Sequence, residues 1–125
     1  MLCRNEESAC TFARSHFNMG RKIIDAVSET LRYVTEQCDN VQGCMMHHSI
    51  GGGTGSGLGA LILERLAVDY RKKCKIGCEV MPSSLSLKHA DAMIVEPYNA
   101  MLAVHWLLDH TGWVACILYI LVSSE

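Results

Sequence analysis

From Gly20 to Cys38 the apolar residues Ile23, Ile24, Val27, Leu31 and Val34 return at steps of three and four, the stripe of an amphipathic helix, and Asp39-Asn40 ends it. Val41 to His48 follows as a short strand with Cys44, Met45 and Met46 at its middle. Beyond a run of glycines, Leu58, Leu61, Ile62 and Leu66 set a second helical stripe, and Arg71, Lys72 and Lys73 stand where cations favour a helix C-terminus. Ile76, Cys78 and Val80 then alternate with Lys75, Gly77 and Glu79, the period of two that marks a strand, until Pro82-Ser83-Ser84 opens a loop. Glu96-Pro97 predicts a third helix with proline at its first position and Met101, Val104 and Leu108 on the inward face. Last comes Trp113 to Val122, ten apolar residues. That is half of the roughly 20 a membrane-spanning helix needs, and its β-branched and aromatic content reads as a buried strand.

This alternation of helix and strand predicts an α/β fold, an incomplete Rossmann-like domain of parallel strands with flanking helices. A chain of 125 residues has room for one core. Two or three strands make a narrow sheet with exposed edges, so the chain has the look of part of a larger domain. Half of the residues are apolar and 19% are charged, which excludes disorder, and a net charge of −2 offers no positive field to a nucleic acid. Seven cysteines without a CxxC, behind an opening Met1–Glu7 that lacks an apolar leader, read as reduced, buried thiols in the cytosol. Cys74 and Cys78 with His47 and His48 match no standard zinc spacing, so no metal site is expected there. The six histidines lie beside no obvious nucleophile and orienting acid and read as structural or exposed.

The chemistry concentrates in Gly51-Gly52-Gly53-Thr54-Gly55-Ser56-Gly57, five glycines in seven positions between a strand and a helix. Glycine removes the β-carbon and permits left-handed dihedrals, so successive N–H groups can converge on one anion. The helix that follows adds its unpaired first-turn amides and the positive end of its dipole. A phosphate is the natural occupant, with hydroxyls of Thr54, Ser56 and Ser49 at hand. No lysine stands where a P-loop requires one. A second reading takes Gly55-Ser56-Gly57-Leu58-Gly59-Ala60 as a dinucleotide fingerprint, with Glu79 as the acid for a ribose and a dinucleotide-binding oxidoreductase as the activity.

The glycine run resembles the signature phosphate loop of the tubulin and bacterial division-GTPase superfamily. The likeness continues in order through Phe12-Ala13-Arg14, Gly20–Asp25, Val41-Gln42-Gly43, His48-Ser49, Glu64–Tyr70 and Val95-Glu96-Pro97-Tyr98-Asn99, and favours the alpha subunit over the beta. It runs from about Glu6 to Thr111, which divides the chain into a partial tubulin-like GTP-binding domain, 1–111, and a divergent apolar tail, 112–125. The resemblance implies nucleotide contacts from Ser49, Gly51, Gly52, Gly53, Thr54, Gly55 and Ser56, with Glu96 near the sugar. It implies GTP as ligand, with Mg²⁺ accompanying the nucleotide on ligands outside this chain. Beta-tubulin and the microtubule lattice are the implied partners, and the cytoplasmic cytoskeleton the implied location.

Three departures bear on function. Glu7-Ser8-Ala9-Cys10 has a thiol where the family has an amide near the phosphates. The loop from Ser83 to Ile94 is longer than the family's, and Ala92 replaces a hydroxyl. The base-recognising residues and the metal-associated acids have no counterparts in this chain. Nucleotide binding is therefore expected to be impaired and hydrolysis absent, with a non-functional truncated product as a further alternative.

Overall fold

Helix and strand alternate as the apolar pattern predicts. The computed structural model describes residues 9–82 and 94–118, the last strand by its backbone. A π-helical turn, Arg14–Met19, runs into α1, Gly20–Glu36; β1 is Gly43–Ser49; a second π-helical turn, Thr54–Leu58, runs into α2, Gly59–Asp69; β2 is Cys74–Met81, α3 Glu96–His110 and β3 Trp113–Leu118. Glu7-Ser8, the long loop through Ala92, and the tail from Tyr119 lie outside the described residues.

The three strands form one parallel sheet in the order β1-β2-β3. Pairing runs from Gly43↔Cys74 to Ser49↔Val80, and from Ile76↔Trp113 to Met81↔Leu118. Each parallel neighbour requires a crossover, and α2 and α3 supply them. The apolar segment after Thr111 thus takes a place in the sheet beside β2. Among the described residues no helix is long and apolar enough to cross a membrane.

The expected inward face of α3 is turned over, and the covered face of β2 is not its more apolar one. On β2 the period of two holds, but Lys75, Gly77 and Glu79 are the buried set, whereas Ile76, Cys78 and Val80 are half-buried on the other face. On α3 the inward positions are Asn99, Ala103 and Leu107; Val104 is only partly buried, and Met101 and Leu108 are 75% and 71% exposed. The reason on α3 is close approach: small Ala103 is wholly buried in the core with Phe12, Ile50, Ala60, Leu63 and Leu107, against which Met46 and Met81 pack. Bulk at that position would hold the helix away.

The basic run also falls elsewhere than expected. The helix stops at Asp69, leaving Arg71–Lys73 in the turn, and the ammonium of buried Lys75 instead donates to the carbonyls of Tyr70 at 2.8 Å and Lys73 at 3.1 Å. A cation on terminal carbonyls meets the negative end of the helix dipole. The thiols are less buried than their number suggests: Cys10, Cys38 and Cys74 are exposed, and Cys44 and Cys78 half-buried, all five free.

Candidate functional site

The glycine run is barely a loop. Gly53 already has helical dihedrals, with φ −63° and ψ −46°, and the wide turn Thr54–Leu58 continues from it into α2. No glycine here adopts a positive φ, so the conformational freedom expected of these residues is not what the fold uses. It uses the missing β-carbon. At Gly53 a Cβ would stand 2.6 Å from the Cys10 carbonyl carbon and the Thr11 nitrogen, and at Gly57 it would stand 2.5 Å from the Phe12 carbonyl oxygen. At Gly55 it would strike the Ser49 carbonyl. Gly52 is different, with nothing within 4 Å of that point. The run is therefore closed against the segment Cys10–Phe12 and the end of β1, and open at Gly52. The first intrahelical bond, from the Ser56 N–H to the Gly52 carbonyl at 3.1 Å, leaves Gly53 and Gly55 in the turn whose amides a helix start leaves over.

Around this turn each expected residue has a definite place. Ser49 ends β1, and its hydroxyl accepts the Gly51 N–H at 3.4 Å. Thr54 is exposed at the start of the wide turn. Ser56 is fully buried and donates its hydroxyl to the carbonyls of Gly52 and, at 3.2 Å, Gly53, so its side chain serves the turn itself. Glu96 comes to the same corner from α3: its carboxylate oxygen lies 3.5 Å from the point a Gly51 Cβ would occupy. The structure brings all eight together.

Asn99 is the residue that sequence reasoning left unassigned. It is 3% exposed, accepts the Phe12 N–H at 2.9 Å, and donates to the carbonyls of Cys10 at 2.8 Å and Gly51 at 3.0 Å. One amide thus joins the N-terminal segment, the glycine turn and α3. Its signal was an amide among apolar neighbours in Val95–Asn99, one turn into a helix, where solvent exposure is the simpler expectation. Directly upstream, Ala9 and Cys10 hold left-handed dihedrals with φ 49° and 53°. That conformation costs a β-carbon-bearing residue free energy and here bends the chain onto the turn.

Three side chains flank the site, His16 and Glu79 buried and His48 half-buried. His16 stacks on Phe12 at 5.2 Å, tilts against Trp106 at 4.8 Å, and donates from Nδ1 to the Gly57 carbonyl at 3.1 Å. His48 sits under Gly59, where a Cβ would be 3.0 Å from Nδ1. Neither ring nitrogen of His48 has a hydrogen-bond partner, and burial pulls its pKa below the usual imidazole value against a weaker opposing effect of the Gly55 and Ser49 backbone. Glu79, its partner in register, is 0% exposed with both oxygens unpartnered, and burial pushes its pKa up against a weaker opposing effect of its own backbone amide. The acid that a dinucleotide fingerprint would set on a ribose therefore faces the helices. A cavity of about 620 Å³ between α1 and α2, lined by Asp25, Ser28, Glu29, Arg32, Arg65, Asp69 and Tyr70, includes none of the glycine turn.

Comparison with known proteins places this geometry. The profile of the Tubulin/FtsZ family, GTPase domain, matches residues 1–118. The nucleomorph tubulin alpha chain of Guillardia theta is 46% identical over 111 residues, 89% of this chain and 24% of that protein. The tubulin alpha chain of Trypanosoma cruzi and the tubulin alpha-1 chain of Arabidopsis thaliana are each 43% identical over 117 residues, 94% of this chain and 25% of theirs. The chain thus spans about a quarter of the length of the curated relatives it matches. With its parallel sheet, its glycine-started α2 and this degree of identity to alpha chains, the chain belongs to the Tubulin/FtsZ GTPase-domain family and is similar there to alpha-tubulins.

Proposed function

We propose that the turn Gly51–Ser56 is a cradle for the phosphates of a guanine nucleotide, GTP in the first instance, in an alpha-tubulin-like fragment. The carrying observation is the contrast within the run: glycines 53, 55 and 57 are closed against backbone, whereas Gly52 faces open space beside a helix N-terminus. An anion fits there because the first-turn amides and the helix dipole both favour negative charge. Family membership adds the guanine nucleotide, with Ser49 and Thr54 as hydroxyl neighbours and Glu96 on the sugar side.

Affinity is reduced relative to an intact site. Cys10 offers a thiol where the family resemblance implies an amide donor, and base recognition is not among the roles carried by the turn. Phosphate contacts alone bind ground state and transition state alike, so no turnover follows from them. Mg²⁺, which would offset phosphate charge, has no ligand among these residues. Beta-tubulin and the microtubule lattice are the partners in this reading, in the cytoplasmic cytoskeleton.

A fluorescent GTP analogue titrated with and without Mg²⁺ tests the proposal. Saturable binding that Gly52→Val abolishes, with the variant's circular dichroism unchanged, supports it. Silence in the folded chain, or binding indifferent to Gly52→Val, refutes it. Phosphate release from GTP above background would refute the absence of turnover.

A further inference from the structure

His48 and Glu79 are Cα partners across β1 and β2, on the face covered by α2 and α3, and neighbouring strands lie about 4.8 Å apart. All four of their side-chain nitrogens and oxygens are buried without a hydrogen-bond partner. Native interiors leave few such atoms, and two ionisable groups abandoned side by side call for a physical account. The surroundings supply no compensating charge. On this face α2 presents Ala60, Leu63 and Leu66, and α3 presents Ala103 and Leu107, all apolar and buried. The strands add Cys44 and Lys75, and the Lys75 ammonium is bonded to Tyr70 and Lys73. The register partner of Glu79 on β3 is Cys116. Of the remaining groups, Glu96 stands beside Gly51, His16 bonds Gly57, His110 bonds the Trp106 carbonyl, and Arg65 meets Asp25 at 3.8 Å.

An ionised Glu79 here would be a bare charge in an apolar layer, and an imidazolium at half-buried His48 would lose more to burial than the Gly55 and Ser49 backbone returns. The cheapest occupancy is a neutral acid beside a neutral base. We infer that His48 and Glu79 together hold one proton in the folded chain, the carboxyl proton of Glu79, and that the fold beneath the glycine turn loosens when that proton leaves and again when a second arrives, on His48.

The consequence is a two-sided pH dependence. In the unfolded chain the pair loses its two protons near the ordinary values of 4.5 and 6.5. Between these values both states hold one proton and stability is level. Above 6.5 the unfolded chain holds none while the folded chain keeps one, so stability falls as pH rises. Below 4.5 the unfolded chain holds two and the folded chain still one, so stability falls as pH drops. Each limb changes the unfolding equilibrium constant about tenfold per pH unit.

Urea unfolding of the full chain from pH 3.5 to 9, beside Glu79→Gln and His48→Gln, tests this. In Glu79→Gln the alkaline limb is expected to vanish and the acid limb to begin at 6.5, since only His48 titrates. In His48→Gln the acid limb should vanish and the alkaline limb begin at 4.5. Three parallel profiles would overturn the inference. Should His48→Gln not fold, infrared spectra of the wild type at pH 7 decide: a protonated-carboxyl band that Glu79→Gln removes sustains the inference, and absence of that band ends it.

Discussion

An alanine scan confined to two neighbouring glycines separates the structural role of the turn from its open side. In Gly53→Ala the new methyl would lie 2.6 Å from the Cys10 carbonyl carbon and the Thr11 nitrogen and 3.0 Å from the Cys10 Cα. Carbon contacts relax near 3.5–4.0 Å, so the N-terminal segment must withdraw by about 1 Å. All three neighbours are backbone and cannot rotate away, and the segment is held by the Asn99 bonds to Phe12 and Cys10. Overpacking of this kind costs about 1–3 kcal/mol, and the rigid neighbours put Gly53→Ala at about 2. With a urea dependence of about 1.5 kcal/mol per molar, the midpoint falls by about 1.3 M at unchanged slope. Gly52→Ala meets nothing within 4 Å and has no positive φ to lose, so it stays within about 0.5 kcal/mol of wild type. Equal midpoints for the two variants would refute the account of the turn as a close backbone contact.

Other outcomes follow from the same geometry. Asn99→Leu strands a buried N–H and two carbonyls and is expected to cost about 3 kcal/mol, read by thermal melting; Asn99→Asp should be worse at pH 7 than at pH 4, because an ionised carboxylate faces the Cys10 and Gly51 carbonyls. Leu107→Ala should cost about 2–4 kcal/mol and Leu108→Ala less than about 0.5 in urea unfolding, since the first is 3% and the second 71% exposed. The reverse order would restore the apolar stripe as the inward face of α3. In native-state hydrogen exchange, amides of β2, flanked by β1 and β3, should outlast those of β1.

Periodicity carried the architecture into view because helix and strand spacing are local properties of the chain. The elements at Gly20, Gly43, Gly59, Cys74, Glu96 and Trp113 begin within a few residues of their apolar patterns. Facing was less legible, since which side of β2 is covered depends on helices distant in sequence, and a glycine at 77 lets the Glu79 side chain fold into the space above it. The same limit hid Asn99. Its three partners are backbone groups of residues 10, 12 and 51, and backbone leaves no mark in a sequence. The glycine run stood out by composition, yet composition suggested unusual dihedrals where the structure uses close approach.

The Asn99 bridge reaches across 87 residues to Phe12 and 48 to Gly51. During synthesis the chain grows from its N-terminus at about 5–20 residues per second, so the glycine turn is made seconds before the amide that braces it. Contacts of such long sequence separation also form late in refolding, because the intervening loop must close first. The glycine turn is thus among the last parts of the molecule to acquire its shape, and a nascent chain halted between β2 and α3 has the glycines in place without the clasp that sets them.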